Sequence, residues 1–460
     1  MRARKKMSVT NITEGVIWKQ LLMFFFPILL GTFFQQMYNT IDTIIVGRYV
    51  GTNALAAVGA AGALTGVLVG FFTGMASGAT VVVSQRCGAG DGEGVSKAVH
   101  TGMALAIAAG VMITVLGLVF TPSVLKLTNT PDAVFEDAKL YTMVYFAGGI
   151  ALVIYNVGSG IMRALGDSKR PMIYLMICCI VNIVLDLFCI VVLKMGVAGA
   201  ALATTASQVV SAVLVVIHLM RLDGEAKLHL KQIRFDRSIL SEILKIGVPS
   251  GLQSTMYSVS NLIIQAGINS FGSVTAAAWT AHDRMCSINW MVVSAFGVAI
   301  TTFVGQNFGA QKYDRVRKSV KVCMGMAIVT IGLIALVTIV FGRPILGIFT
   351  SDPEVIDMGM KVVWYINPFY VMYVPIEVFS GAMRGTGDSL MPTIITCVGV
   401  CLLRVVWIFG VVSIWNSVMM LALAYGVTWT VTSTTFGIYY LQGGWLRKRI
   451  KAMGFAPEKK

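Results

Sequence analysis

Charge is what this sequence has least of. Only 12% of its 460 residues are Asp, Glu, Lys or Arg, against about 25% in soluble domains. That scarcity excludes a soluble protein of this length, because 56% hydrophobic residues cannot all be hidden in one core. No stretch is left over for a sizeable soluble domain. Other absences remove enzymatic classes. No Gly-x4-Gly-Lys-Ser/Thr loop is present to cradle a phosphate, which argues against a built-in ATPase, and neither HExxH nor GxSxG occurs. The eight cysteines contain no CxxC pair and lie mostly inside apolar runs. Cys397 and Cys401 stand one helical turn apart, but no nearby His or acid completes a metal site. They read as small buried hydrophobes.

What fills the chain instead is apolar stretches of roughly 20 residues, the length of a bilayer-spanning helix. Apolar length and breaks at Gly, Pro and charge give twelve spans: 21–46, 54–80, 97–120, 138–161, 171–193 and 197–219, then 243–269, 275–303, 321–341, 360–383, 393–414 and 417–441. The expected organisation is a cytoplasmic segment 1–20, a six-helix lobe 21–219, a cytoplasmic linker 220–242, a second six-helix lobe 243–441, and a basic tail 442–460. Met1 to Lys6 is basic and precedes an apolar run, as in a signal peptide. That run is long and no small-residue cleavage site follows it closely, so it reads as the first span.

The net charge of +15 does not point to nucleic acid, because Lys and Arg sit in short clusters between apolar runs rather than on one soluble face. With both termini inside, the outer connections hold only Arg48, Lys126, Lys139, Lys194, Arg343 and Lys361, while Arg284 and Arg404 fall within spans. All the other basic residues fall on the inner side, as the positive-inside rule requires for cytoplasmic termini in the cell membrane.

An internal repeat is the strongest single signal. Ser159-Gly160-Ile-Met162-Arg163-Ala-Leu-Gly166-Asp167-Ser168-Lys-Arg-Pro171 recurs as Ser380-Gly381-Ala-Met383-Arg384-Gly-Thr-Gly387-Asp388-Ser389-Leu-Met-Pro392, matching at eight of thirteen positions with an offset of 221. Gln85-x-x-Gly88-Ala89 and Gln306-x-x-Gly309-Ala310 keep the same offset. Six spans per half is an even number, so the copies run parallel, and such repeats place a transport pathway between the halves. The doubled loops read as tight turns in which Asp167 or Ser168, and Asp388 or Ser389, cap the next helix. A structural or gating role is expected there for Arg163, Asp167, Arg384 and Asp388. Pro27 and Pro249 interrupt the first and seventh spans, and each reads either as a hinge or as a fixed kink.

Ionisable groups at membrane depth are costly and therefore functional candidates. Asp42, Asp186 and Thr204 fall in the outer parts of the first, fifth and sixth spans, and Tyr141 near the outer end of the fourth. Asn182 precedes Asp186 by four residues, on the same helix face. Sharing a depth, these groups are expected to converge in one polar pocket that binds a proton or Na⁺. The blander alternative leaves Asp42 in interfacial water and Asn182 bonded to a neighbouring helix. The second half has no such pair. It offers Glu377, His282 beside Asp283 and Arg284, and Arg404, which requires an anionic or carbonyl partner. The 26 Met and many Phe suit an adaptable pocket, although most must face lipid or packed helices.

On Pro27, Gln36-Met37-Tyr38-Asn39-Thr40-Ile41-Asp42, Val46-Gly47, Leu55-Ala56-Ala57-Val58-Gly59, the Gln-x-x-Gly-Ala segments and the doubled Arg-x-x-Gly-Asp-Ser loops, the chain resembles the multidrug and toxic compound extrusion (MATE) family along nearly its whole length. The resemblance implies two six-helix bundles in a V around a central cavity, exporting cationic drugs in exchange for Na⁺ or H⁺. It maps an N-lobe cation site onto Asp42, Asn182, Asp186 and Thr204. Other members use acids in the seventh and tenth spans, where this chain has Gln253, Asn261, Gln265 and Glu377. The fold class expected is an all-α membrane protein, twelve transmembrane helices in two pseudo-symmetric bundles related by a parallel repeat. It is expected to be a monomer without enzymatic activity, with drug-like small molecules and the lipid bilayer as partners and no cofactor besides the ion. Rival readings are a flippase of lipid-linked saccharides, which would need more cationic residues than Arg284 and Arg404, and a membrane-embedded transferase.

Overall fold

The computed structural model describes residues 12–455, leaving aside the side chain of Ala63. Arg2, Arg4, Lys5, Lys6, Lys459 and Lys460, which belong to the expected terminal segments, lie outside the described residues. Among the described residues all regular structure is helical. The elements are α1 (Ile17–Tyr49), α2 (Thr52–Gly88), α3 (Gly92–Leu127), α4 (Asp132–Ala147), α5 (Gly149–Ala164), α6 (Lys169–Asp186), α7 (Gly196–Arg221), α8 (Arg237–Ser270) and α9 (Ser273–Gly309). They continue as α10 (Tyr313–Val340), α11 (Gly342–Leu346), α12 (Pro353–Ile366), α13 (Tyr370–Gly385), α14 (Leu390–Thr396), α15 (Leu403–Trp407), α16 (Ser413–Trp415), α17 (Val418–Leu441) and α18 (Gly444–Ala452). Nine described helical segments are individually long and apolar enough to cross a membrane, and α4 with α5 adds a tenth. The Ser- and Thr-rich α8 and α17 complete the twelve spans of an all-α membrane protein.

The repeat is visible element by element. Shifted by 221, α2 superimposes on the bounds of α9 and α5 on those of α13, residue for residue. The doubled loops close alike. Gly166 N–H donates to Arg163 O at 2.9 Å and Asp167 N–H to Met162 O at 3.0 Å; Gly387 N–H donates to Arg384 O at 2.8 Å and Asp388 N–H to Met383 O at 3.0 Å. These are Schellman C-caps, which require a left-handed residue; Gly166 has φ 94° and Gly387 φ 89°. Asp167 Oδ1 then accepts from Arg170 N–H at 3.1 Å, and Asp388 Oδ1 from Met391 N–H at 3.4 Å. The aspartates, rather than Ser168 and Ser389, cap the helices that follow.

The fourth span differs from the uninterrupted helix expected over 138–161. It is broken at Gly148 and bent by 47°. The break is stabilised by Thr114 Oγ1, which donates to Phe146 O at 2.8 Å, and Thr205 Oγ1, which donates to Val144 O at 3.1 Å. The tenth span breaks at the equivalent place, through a short 3₁₀ turn at Asn367–Phe369.

The chain divides into two compact units, residues up to Glu14 with Phe26–Thr255, and Gly15–Phe25 with Met256–Lys460. Helix α1 thus starts in the second unit and enters the first one residue before Pro27. Helix α8 starts in the first unit and passes into the second after Thr255. In the first unit, Val81, Val99, Ile113, Phe146, Val157, Ile161 and Val215 fill the core between α2, α3, α4, α5 and α7. Gly74 and Gly78 of α2 meet Gly247 and Gly251 of α8 backbone to backbone: a Cβ on Gly251 would lie 2.6 Å from Phe71 O. Such small-residue contacts drive helix association in lipid, where burial of apolar surface contributes little. Arg86 forks onto Glu242 at 2.8 and 2.9 Å. The segment before α8 is held on α3, with His229 N–H donating to His100 Nε2 at 3.0 Å and Asp236 N–H to Thr101 Oγ1 at 3.2 Å. In the second unit, Phe25 stacks on Phe296 of α9 at 4.1 Å, and Arg315 donates to Gly15 O at 2.8 Å and Gln20 Oε1 at 3.0 Å.

Candidate functional site

The outer part of the first unit gathers the five polar residues singled out above. Asp42 of α1, Tyr141 of α4, Asn182 and Asp186 of α6 and Thr204 of α7 are all buried. The carboxyl groups of Asp42 and Asp186 are close neighbours. The Tyr141 phenol stands beside both acids and beside Thr204. Asn182 Nδ2 points at Thr204 Oγ1 across 3.5 Å, the long end of hydrogen bonding. An apolar layer of Ile45, Val46, Ala61, Ile190, Val197 and Ala200 packs around the cluster. Asp42 is 5% exposed and Asp186 wholly buried.

The local backbone sets these positions. At 3.6 residues per turn, their spacing of four brings Asn182 and Asp186 onto one face of α6. At Asp186 the α-helix ends, and a π-helical segment, Leu187–Val192, carries the span onward. Single π turns inside α-helices recur at functional sites, because the wider turn re-aims the side chains. The same offset of 221 leads to a second π-helical segment, Ile408–Val412.

Chemically the cluster is rich in acceptors and poor in donors. Asp42 Oδ1, Asn182 Oδ1 and both carboxyl oxygens of Asp186 are buried and accept no hydrogen bond. Among the described residues no Lys or Arg pairs with either acid. Two neighbouring carboxyls in such a setting repel unless a proton or a hard cation sits between them, and oxygen donors are what Na⁺ and H⁺ accept. Residues beyond the expected set adjoin the cluster. Tyr38 lies close to Tyr141 and Tyr145, and Tyr145 stands beside Gln208. Each lies one turn from an expected member, Tyr38 from Asp42, Tyr145 from Tyr141 and Gln208 from Thr204. The four-residue spacing that links Asn182 to Asp186 identifies them.

The polar residues of the second half do not come together in this way. Glu377 is half-paired with Arg384, Nη2 to Oε1, at 3.3 Å. His282 Nε2 meets Asn367 Oδ1 at 2.9 Å, and Asn367 Nδ2 donates to Thr338 Oγ1 at 2.8 Å. Asn261 and Gln265 are exposed, and Gln265 Nε2 donates to Asn269 Oδ1 at 3.0 Å. Gln253 is buried and belongs to the first unit. Among the described residues Arg404 finds neither the anionic nor the carbonyl partner expected. Its guanidinium lies 4.3 Å from the ring centroid of Tyr425, and only 2% of the residue is exposed.

A family model described as MatE matches residues 27–188 and 249–409, one stretch in each half. The chain is 26% identical over 445 residues to the probable multidrug resistance protein YoeA of Bacillus subtilis, covering 94% of this chain and 95% of that protein. It is also 26% identical to the probable multidrug resistance protein NorM of Thermotoga maritima, covering 95% of this chain and 96% of that one. A solved outward-facing conformation of a multidrug resistance MATE family transporter of the MOP superfamily shares the fold, with a TM-score of 0.89 at 23% identity, over 97% of this chain and all of that one.

Proposed function

Since this chain belongs to the MatE family of multidrug and toxic compound extrusion transporters, we propose that it is a secondary active efflux antiporter. It exports organic cations and other amphipathic toxic compounds in exchange for Na⁺ or H⁺. The observation that carries the coupling is the buried pair Asp42 and Asp186, close to each other, with three unsatisfied oxygens of their own, that of Asn182 beside them, and, among the described residues, no cationic partner.

In this reading the pair takes one cation from outside, with Asn182, Thr204 and Tyr141 completing the oxygen shell. A cation drives transport only if it binds the outward- and inward-facing states with different affinity. The loaded and empty forms of the pair supply that difference, because an empty pair of close carboxylates is strained in low dielectric and a loaded one is not. Segments 21–219 and 243–441 act as the two lobes, linked through 220–242, and Pro27 and Pro249 are the bends about which α1 and α8 flex. Both termini lie in the cytoplasm, and the protein works as a monomer in the cell membrane. The excess of Lys and Arg on the inner connections supports that orientation.

The test is ethidium efflux from cells expressing wild type and Asp186→Asn at equal levels, with the Na⁺ and pH gradients collapsed in turn. Efflux that requires one gradient and is lost in Asp186→Asn is the expected result, and it names the ion. Gradient-dependent efflux that persists in Asp186→Asn would remove the pair from the coupling mechanism.

A further inference from the structure

Within the second unit a cation is buried without a counter-charge among the described residues. Arg404 lies on α15, between the π-helical segments Cys397–Leu402 and Ile408–Val412. Arginine stays protonated in proteins, so the charge is permanent. Among the described residues no carboxylate lies within ion-pairing distance of Arg404, and its buried Nε donates to nothing. Glu377 is engaged by Arg384, and the side chain of Asp283 is 61% exposed beside His282. The guanidinium lies over the face of Tyr425, and a cation–π contact recovers less than burial of a charge at membrane depth costs.

A second unpaired donor borders the same ring. Trp429, fully buried, packs against Tyr425 with centroids 5.3 Å apart, and its Nε1–H has no partner. Trp429 in turn meets Trp290, Tyr370 and Tyr373 at 6.1, 5.1 and 5.4 Å. Two orphaned donors, one of them charged, thus adjoin a wall of aromatic rings. The repeat sharpens the contrast, since the turn of the first half that carries Asn182 and Asp186 corresponds to the turn carrying Arg404. One half presents acceptors there and the other presents donors.

We propose that Arg404, Tyr425 and Trp429 form a receptor for the carboxylate of a small planar aromatic acid. A single guanidinium fork matches one carboxylate bidentately, and one cation balances a monoanion rather than a doubly charged phosphate. Trp429 Nε1–H supplies a further donor, and the surrounding rings stack on the ligand's aromatic part. This site is separate from the Asp42 and Asp186 pair and does not depend on it.

The test is equilibrium binding of tritiated 2-naphthoate to the purified full-length protein in detergent, with no ion gradient, so its outcome is independent of the efflux result. Saturable binding is expected, competed by unlabelled 2-naphthoate but not by 2-naphthylmethylammonium or by decanoate, a carboxylate without a ring. Arg404→Gln should weaken it by about tenfold or more, the usual effect of losing a charged hydrogen-bond partner. Trp429→Phe keeps a ring and removes the donor, and should also weaken binding; it decides alone if Arg404→Gln does not purify as a monodisperse species. Absence of saturable binding by wild type, wild-type affinity in the variants, or equal competition by decanoate or the ammonium analogue would overturn the proposal.

Discussion

Asp186 is surrounded by acceptors and Glu377 by a cation, so two membrane acids of one chain should respond oppositely to amidation. Asp186→Asn relieves repulsion with Asp42, and its thermal stability is expected to stay level or rise even as coupling is lost. Glu377→Gln leaves Arg384, whose side chain is 16% exposed, without its partner, at a cost of about 1–3 kcal/mol. Thermal unfolding of the purified protein should show a lower Tm for Glu377→Gln, partly restored by adding Arg384→Gln. An unchanged Tm would mean that the contact is not a working ion pair. At this scale the first-half cluster was legible because its members are rare polar groups at one membrane depth, two of them, Asn182 and Asp186, four residues apart on one helix face. Tyr38, Tyr145 and Gln208 follow the same spacing but are easily passed over, being uncharged and common in membrane helices. The setting of Arg404 was not legible, because Tyr425 comes from another helix, 21 positions further on, and nothing local marks the pairing.

Where α2 meets α8, the contact runs through glycine rather than through large apolar side chains. Gly74 and Gly78 bring α2 against α8 so closely that a Cβ on Gly74 would lie 2.6 Å from Ser250 O. Neighbouring backbone cannot move aside as a side chain can. Gly78→Leu, which puts bulk against the Ile243 carbonyl, is therefore expected to destabilise by about 1–3 kcal/mol or more. The readout is a lower midpoint in a thermal series followed by size-exclusion chromatography. Gly59→Leu serves as the control, since nothing lies within 4 Å of a Cβ there; equal losses for both would remove the close contact as the cause. Span positions were readable from apolar length, which the bilayer fixes, together with breaks at Gly, Pro and charge. The break at Gly148 was hidden by an apolar run that continues through it, and its support comes from Thr114 and Thr205 on other helices. The π-helical segments leave no compositional mark, since their residues are as apolar as those of the α-helices they join.

For the whole molecule, the repeat at 221 residues was visible as eight matches within thirteen positions of sequence, and the starts of the paired helices keep that offset to within one residue. The two halves keep one backbone plan while their polar residues diverge. Asp186 corresponds to Trp407, and Arg404 to Ile183. The account therefore assigns ion coupling to one half only. The most direct test is transport by the purified protein alone, reconstituted into proteoliposomes, with ethidium movement followed while Na⁺ or pH gradients are imposed separately. The account predicts ethidium transport against its concentration gradient, driven by one of the two ions and abolished in both Asp42→Asn and Asp186→Asn. Ethidium movement that only equilibrates, whatever gradient is imposed, would contradict it.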